Sequence, residues 1–325
     1  MKTLFATIRR RMLGLSPKAV SFKERGFRGA SPAICQRLES VGGSFLGGYH
    51  FALESTSTCQ LESKLSGVEL ELRGFAFEGA AMGLALLERL TPWPSRRIAE
   101  FLAGSGDRHA YMIHVGIGWV WARAPFGFRR WQRKLDPLLG WLAFDGWGFH
   151  EGFFHWPKYI AGQPAPLRLR GYERRAFDQG LGRSFWFVNG GNAELISQTI
   201  SNFSAGRQPD LWSGLGLAAS YAGIVSEKSL QNLRDSAGQF RPQLAQGTAF
   251  AAKARQRAGN PTGHTNLAAK IFCEMSADDA AQATDAALEN LPADGEIPAY
   301  EIWRQRIQNR FHNQFSSKSE LQEVR

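Results

Sequence analysis

The apolar pattern of the chain returns with a period much longer than a helical turn. Seven glycine-centred segments follow one another: Gly47 to Ala52, Glu78 to Gly83, Val115 to Trp119, Asp145 to Phe149, Gln179 to Arg183, Ser213 to Leu217 and Gln246 to Phe250. Their first glycines stand at positions 47, 79, 116, 146, 180, 214 and 247, a step of about 34 residues, which is the length of one helical hairpin. Two positions after the anchor the residue is Tyr49 in the first segment and small in the other six (Ala81, Gly118, Gly148, Gly182, Gly216, Ala249). Small residues there let a neighbouring helix come close, while rings such as Trp119, Phe149, Phe185, Tyr221 and Phe250 fill the space beyond. Glycine inside a helix costs about 0.5–1 kcal/mol against alanine, so its recurrence has to be offset by packing. In the alternative reading each glycine pair opens a helix, with Asp145 and Asp178 as N-caps. The sequence leaves both open.

Between the anchors, Ile98 to Leu102, Trp131 to Leu142, Ala193 to Phe203 and Leu230 to Leu244 carry a 3.6-residue period and predict second helices. Turn chemistry separates them, as in Thr91-Pro92-Trp93-Pro94 and Gly259-Asn260-Pro261-Thr262-Gly263. Gly67 to Phe77 alternates with period two and is the best strand candidate. The fold class that follows is all-α, an array of helical hairpins of the α-solenoid or α/α type. Residues 1–20 read as a basic leader and 21–275 as a single domain of about seven repeats. Two polar capping helices, Ala277 to Leu291 and Ile297 to Phe311, fall within 276–313, and 314–325 reads as a disordered tail. The period equals that of tetratricopeptide repeats, but their consensus is absent, so the likeness concerns architecture alone.

Charge and composition narrow the partners. The net charge of +10 invites anionic ones, an acyl carrier protein or a membrane surface. The basic residues are scattered and show none of the stacking patterns of nucleic-acid modules, which disfavours nucleic acid. Cys35, Cys59 and Cys273 form no CxxC pair and suggest neither a disulfide framework nor a thiolate metal site. No apolar run reaches the roughly 18 residues that span a bilayer. Arg9-Arg10-Arg11 has a twin-arginine flavour, but Gly14, Ser16, Pro17 and Lys18 interrupt the apolar stretch an export signal needs. A cytoplasmic chain is expected, its basic leader able to touch the inner face of the membrane. Ten Trp and 23 Phe supply rings for a thick core or for a cavity that takes an apolar small molecule.

The densest polar and aromatic cluster is Phe144 to Pro157. A carboxyl group walled in by Trp147, Phe149, Phe153 and Trp156 would have its pKa raised by desolvation and could serve as an acid. The catalytic candidates are therefore Asp145, Glu151, Asp178 and His150. Candidates for binding a ligand are His114, Trp119, Trp147, Phe149, Phe153, His155, Arg183 and Trp186. His150 and His155 are five apart rather than four, which fails the zincin pattern, and no metal is expected; the alternative is a site assembled between repeats, with nitrogen ligands from His114, His150 and His155 and oxygen ligands from Asp145, Glu151 and Asp178. No cofactor motif is present, since Gly180-Leu181-Gly182-Arg183-Ser184 belongs to the glycine series. His114 and Asp178 lie two before their anchors and Asp145 one before, so stacked units would place them along one strip, the floor of a groove. The competing reading makes the aspartates caps, pairs Glu151 with Arg183, and buries the histidines as hydrogen-bonded core residues.

Several strings carry a family likeness: Phe77 to Leu87 with Leu90-Thr91-Pro92-Trp93, His109 to Trp119, Asp145 to Phe154, Phe177 to Ser184 and Asn260 to Thr265. Over roughly residues 15 to 270 the chain resembles an uncharacterised bacterial family encoded with enediyne polyketide synthases. The resemblance implies a place in secondary metabolism and transfers no catalytic residues. It leads to three expectations: a protein that binds a hydrophobic polyene or polyketide intermediate and helps process it, an acid-initiated terpenoid or polyene cyclase or isomerase, and a non-catalytic scaffold for carrier or membrane partners.

Overall fold

A computed structural model describes residues 2–91, 95–223 and 225–323. Among them every regular element is helical. The N-terminal segment forms α1 (Lys2–Leu13), a 3-10 turn (Pro17–Val20) and the single turn α2 (Phe22–Arg25). Long and short helices then alternate. They are α3 (Pro32–Glu54), α4 (Thr58–Ser66), α5 (Arg73–Leu90), α6 (Arg97–Ala103), α7 (Ala110–Arg123), α8 (Phe128–Gln132), α9 (Leu142–Phe154) and α10 (Trp156–Ala161). The alternation continues through α11 (Tyr172–Val188), α12 (Ala193–Ser201), α13 (Gln208–Ala222), α14 (Glu227–Ala237) and α15 (Arg241–Ala258). After them come α16 (Gly263–Phe272), α17 (Ala277–Ala286) and α18 (Ala299–Glu323).

The seven glycine anchors sit inside the seven long odd-numbered helices from α3 to α15, and each of these helices packs on the next. From Gly79 onward the anchor glycines mark the crossing points, and in α3 it is Gly48 rather than Gly47 that meets the neighbouring backbone, at Ala76. A Cβ on Gly146 would stand 1.9 Å from the Val115 carbonyl oxygen of α7, and one on Gly148 1.9 Å from the Phe177 oxygen of α11. The first glycine of a pair thus meets the preceding helix and the second meets the following one. Gly79 meets Phe45 and Gly83 meets Ala52, so position increases along both helices together and the neighbours run parallel. The short even-numbered helices return the chain. Backbone against backbone at this separation excludes any side chain, and dispersion with Cα–H···O contacts offsets the entropy that glycine loses in a helix.

This geometry overturns the N-cap reading of the glycine pairs, since Asp145 and Asp178 lie within α9 and α11. It also overturns the strand candidate, because residues 67–72 form turns and α5 begins at Arg73. The Trp131 to Leu142 helix stops at Gln132, and the Leu230 to Leu244 helix is divided at Gly238, whose φ of 49° breaks it. Side-chain caps appear on return helices, where Asn192 and Ser226 accept from Leu195 and Ser229 N–H.

The row curls until its far end meets its beginning. Arg255 of α15 donates to the Glu71 carbonyl at 2.6 Å, and the rings of Phe75 and Tyr221 meet edge to face at 5.1 Å. α18 does not cap one end of the row as expected. Its Tyr300, Trp303, Arg304, Ile307 and Phe311 are buried, and it runs on to Glu323, past the expected start of the tail. The N-terminal segment also packs down. Tyr49 donates to the Leu13 carbonyl at 2.7 Å, Phe22 N–H to Glu39 at 2.7 Å, and Trp156 Nε1 to the Arg25 carbonyl at 2.8 Å. No helix among the described residues is long and apolar enough to cross a membrane.

Candidate functional site

The curl of the row brings side chains of α3, α5, α7, α9 and α11 around a narrow cavity of about 40 Å³. Its wall is aromatic: Phe45, Phe75, Trp119, Phe149, Phe153 and Phe187. Val20 closes it from the N-terminal 3-10 turn and fits against Gly42, where a Cβ would stand 2.7 Å from the valine. The polar lining consists of Glu78 and Arg183.

Glu78 lies on α5 one residue before the Gly79 crossing, where the helix is buried on all sides. Trp119 Nε1 donates to its carboxylate at 3.0 Å. Burial pushes the Glu78 pKa up to about 7, against the Arg183 guanidinium and the Trp119 hydrogen bond, which pull it down. A carboxyl of this kind can hold or release a proton near neutrality. Arg183 is itself buried, ion-paired with Asp145, and stacked 5.0 Å from the centre of the Phe149 ring. Asp145 also accepts from Gln179 at 2.8 Å, and Gln179 reaches the Tyr300 hydroxyl of α18 at 3.1 Å. The Asp145–Arg183 pair therefore stands as a compensated dipole behind a carboxyl that is compensated only in part.

Of the residues proposed from sequence, the structure gathers Trp119, Phe149, Phe153 and Arg183 at this cavity, with Asp145 behind them. The others point elsewhere. Asp178 pairs with Arg207 at 2.8 Å; burial raises its pKa and the guanidinium opposes the rise. Glu151 takes the Tyr159 hydroxyl at 2.8 Å and the ring of His150 at 3.3 Å, not Arg183. Burial works to raise its pKa, but those hydrogen bonds outweigh it and hold the carboxyl below its usual range. His150 stands edge-on behind Trp119, 5.6 Å between ring centres, and its burial disfavours the charged form. His114 is buried with Nδ1 2.7 Å from the Ala110 carbonyl, and burial lowers its pKa as well. His155 is exposed just past α9, Trp147 packs edge-on to Phe128, and Trp186 lies buried beside Gly191. His114, Asp145 and Asp178 do not form one strip. A shift of one residue turns a helical side chain by about 100°, so His114 and Asp178, two before their anchors, leave the face that Asp145 occupies.

The residue that sequence reasoning missed is Glu78, and a signal for it was present. It stands one before its anchor, in the register of Asp145, and so do Gln179, Ser213 and Gln246. These side chains link along the inner face: Gln179 bonds Asp145, and Ser213 bonds Gln246 at 2.8 Å. Among the described residues, no three His, Cys, Asp or Glu side chains converge so as to hold a metal ion.

A family model described as "Protein of unknown function (DUF1702)" matches residues 4–311. The chain belongs to this family. No curated protein and no solved structure matches it. In this DUF1702 chain the match spans the N-terminal segment, the row of long helices and most of α18, and so takes in every residue of the cavity.

Proposed function

We propose that this protein binds a slender, apolar, unsaturated small molecule in the aromatic cavity and moves a proton on it with Glu78. The observation that carries the reading is a buried carboxyl, titrating near neutrality, in a cavity otherwise walled by rings. Protonated Glu78 would give its proton to one carbon of a conjugated chain. The cation that develops would face Trp119 and Phe149, whose π-electrons stabilise positive charge. The carboxylate would then take a proton from another carbon, leaving an isomer or a ring and restoring the acid. The steps need no oxidant.

A space of about 40 Å³ is far below the several hundred Å³ of a typical ligand site. A ligand therefore enters only if the Val20 turn lifts, and the N-terminal segment acts as a lid. Two finer readings belong to the same proposal. One takes the seven long helices and their returns as copies of a unit of about 34 residues, supported by the anchor glycines of six units, Gly79 to Gly247, standing at equivalent crossings. The other takes the ligand to be a polyene or polyketide intermediate of secondary metabolism, supported by the family resemblance and the aromatic wall.

The test uses the purified chain and a linear conjugated polyene in deuterated water. Wild type should show quenched tryptophan fluorescence and place deuterium in the recovered polyene. Glu78→Gln should keep the quenching and lose the deuterium. Deuterium incorporation by Glu78→Gln at the wild-type rate would remove Glu78 from the chemistry, and absence of both signals in wild type would reject the ligand class.

A further inference from the structure

On the surface, two loops bring large apolar side chains into water side by side. Phe126, after α7, is 67% exposed, and Leu167, before α11, is 92% exposed. Arginines hold the loops together. Arg89 donates to the Phe126 carbonyl, Arg129 donates to the Arg168 carbonyl at 2.6 Å, and the Arg168 guanidinium lies 4.9 Å from the centre of the Phe126 ring. Leu90, next to Arg89, is 57% exposed as well. Arg89 and Arg168 touch Phe126, and the exposed cations Arg130, Arg133, Lys134 and Arg170 lie within a few residues of the tips in sequence. Residues 126–134 contain no carboxylate; of the acids beside them Glu173 is occupied by Arg129 at 2.7 Å, Glu88 accepts from Ile98 N–H at 3.3 Å, and Asp136 follows the segment and accepts from Leu138 and Leu139 N–H.

A soluble surface rarely carries a leucine this exposed beside an exposed phenylalanine, because each gives up roughly 1.5–3 kcal/mol of burial. The tips project from loops that flank Pro125, Pro164 and Pro166, so little chain entropy is lost when they are immersed. A protein partner would need on the order of 800 Å² of complementary face around them, and isolated apolar tips ringed by arginine do not make one. An interfacial membrane site needs this combination: apolar side chains to enter the acyl boundary and cations to reach lipid phosphates.

We propose that the Phe126 and Leu167 loops dock this protein on a bilayer surface with anionic headgroups. The arginines bind lipid phosphate while the two apolar tips insert beneath it. This docking does not depend on chemistry at Glu78. The test is flotation of the full chain with vesicles of phosphatidylcholine alone or mixed with phosphatidylglycerol. Wild type should float with the mixed vesicles, and high salt should release it. Phe126→Ser with Leu167→Ser should weaken flotation roughly one hundredfold, and Arg130→Glu with Arg168→Glu about tenfold or more. Failure of wild type to float with the mixed vesicles overturns the proposal, as does equal flotation with the neutral ones. Retention of wild type on an acidic carrier protein without vesicle binding, lost in the same variants, would overturn it in favour of a protein partner.

Discussion

The buried carboxylates where α18 crosses the row and the buried carboxyl in the aromatic cavity are compensated in different ways. Asp210 faces Arg175 at 2.9 Å and Arg304 at 2.8 Å. Glu301 takes Arg175 and the Tyr172 hydroxyl, each at 2.8 Å, and Gln305 at 2.9 Å. Among the described residues Glu78 accepts one hydrogen bond, from Trp119. In the first cluster each carboxylate has several partners, and together they anchor α18 across the row. The second leaves a carboxyl whose charge is held off by burial, which is a poor way to stabilise a fold and a good way to keep a proton available.

The largest way to break this contrast is Arg304→Met. Removing the guanidinium leaves Asp210 and Glu301 buried with Arg175 as their shared cation, and breaking a buried pair in this way costs about 3–5 kcal/mol. Urea unfolding should show a loss of that size, with the cavity carboxyl still titrating near neutrality. A loss below about 1 kcal/mol would mean that α18 is held by its apolar residues alone. Next comes Gly180→Ala, at the crossing that carries Asp145. The new methyl would stand 1.7 Å from the Asp145 carbonyl oxygen, so α9 and α11 must separate. The expected cost is about 3 kcal/mol, together with weaker binding of the polyene, because the Asp145–Arg183 pair sits on that crossing.

Glu78 gives a pH signature of its own. Its pKa in the folded protein is about 7, against 4.5 for an unperturbed carboxyl. Between these values the native state keeps the proton and the unfolded chain has lost it, so stability falls as pH rises through the window and levels off above it. A shift of that size corresponds to about 3 kcal/mol at most. Measured against Glu78→Gln, wild-type stability should decline from about pH 4.5 to pH 7 and then run flat. A parallel pair of curves would mean that Glu78 is charged throughout.

How much of this was legible in sequence depended on which helix carried the signal. α12 and α14 are amphipathic returns with their apolar face inward, and their helical period gave them away. α7 and α11 are buried on every side, from Ala110 to Trp121 and from Ala176 to Val188, so their hydrophobicity has no period to read. Glycine spacing stood in for it, because it records where backbones touch. The same spacing located Trp119, Phe149 and Arg183, and the aromatic run after Phe144 supplied Phe153, but the acid was misplaced. The aromatic run after Phe144 drew attention to Glu151 and His150, which satisfy each other behind Trp119. Glu78 is followed by alanines and glycines of α5, and of the rings in its cavity only Phe75 is on the same helix; the others come from α3, α7, α9 and α11 and are remote in sequence. The crossing of α18 over the row rests on Arg304 meeting Asp210, a long-range pairing that no local pattern announces.

The smallest effect is the most discriminating. In Trp119→Phe the ring still fills the cavity wall, but the N–H that bonds Glu78 at 3.0 Å is gone. That hydrogen bond favours the ionised carboxyl and holds its pKa down, so its loss should raise the midpoint above about 7. A charge-assisted bond of roughly 1.5 kcal/mol predicts a rise of about one unit. The pH window over which stability declines, and the pH profile of deuterium transfer, should both move upward by that amount. Trp147→Phe is the control, because Trp147 packs on Phe128 away from the cavity and should leave the midpoint where it is. If the two variants shift it equally, the change comes from general loosening of the core. If only Trp119→Phe moves it, the proton sits on Glu78 and the cavity wall sets its affinity.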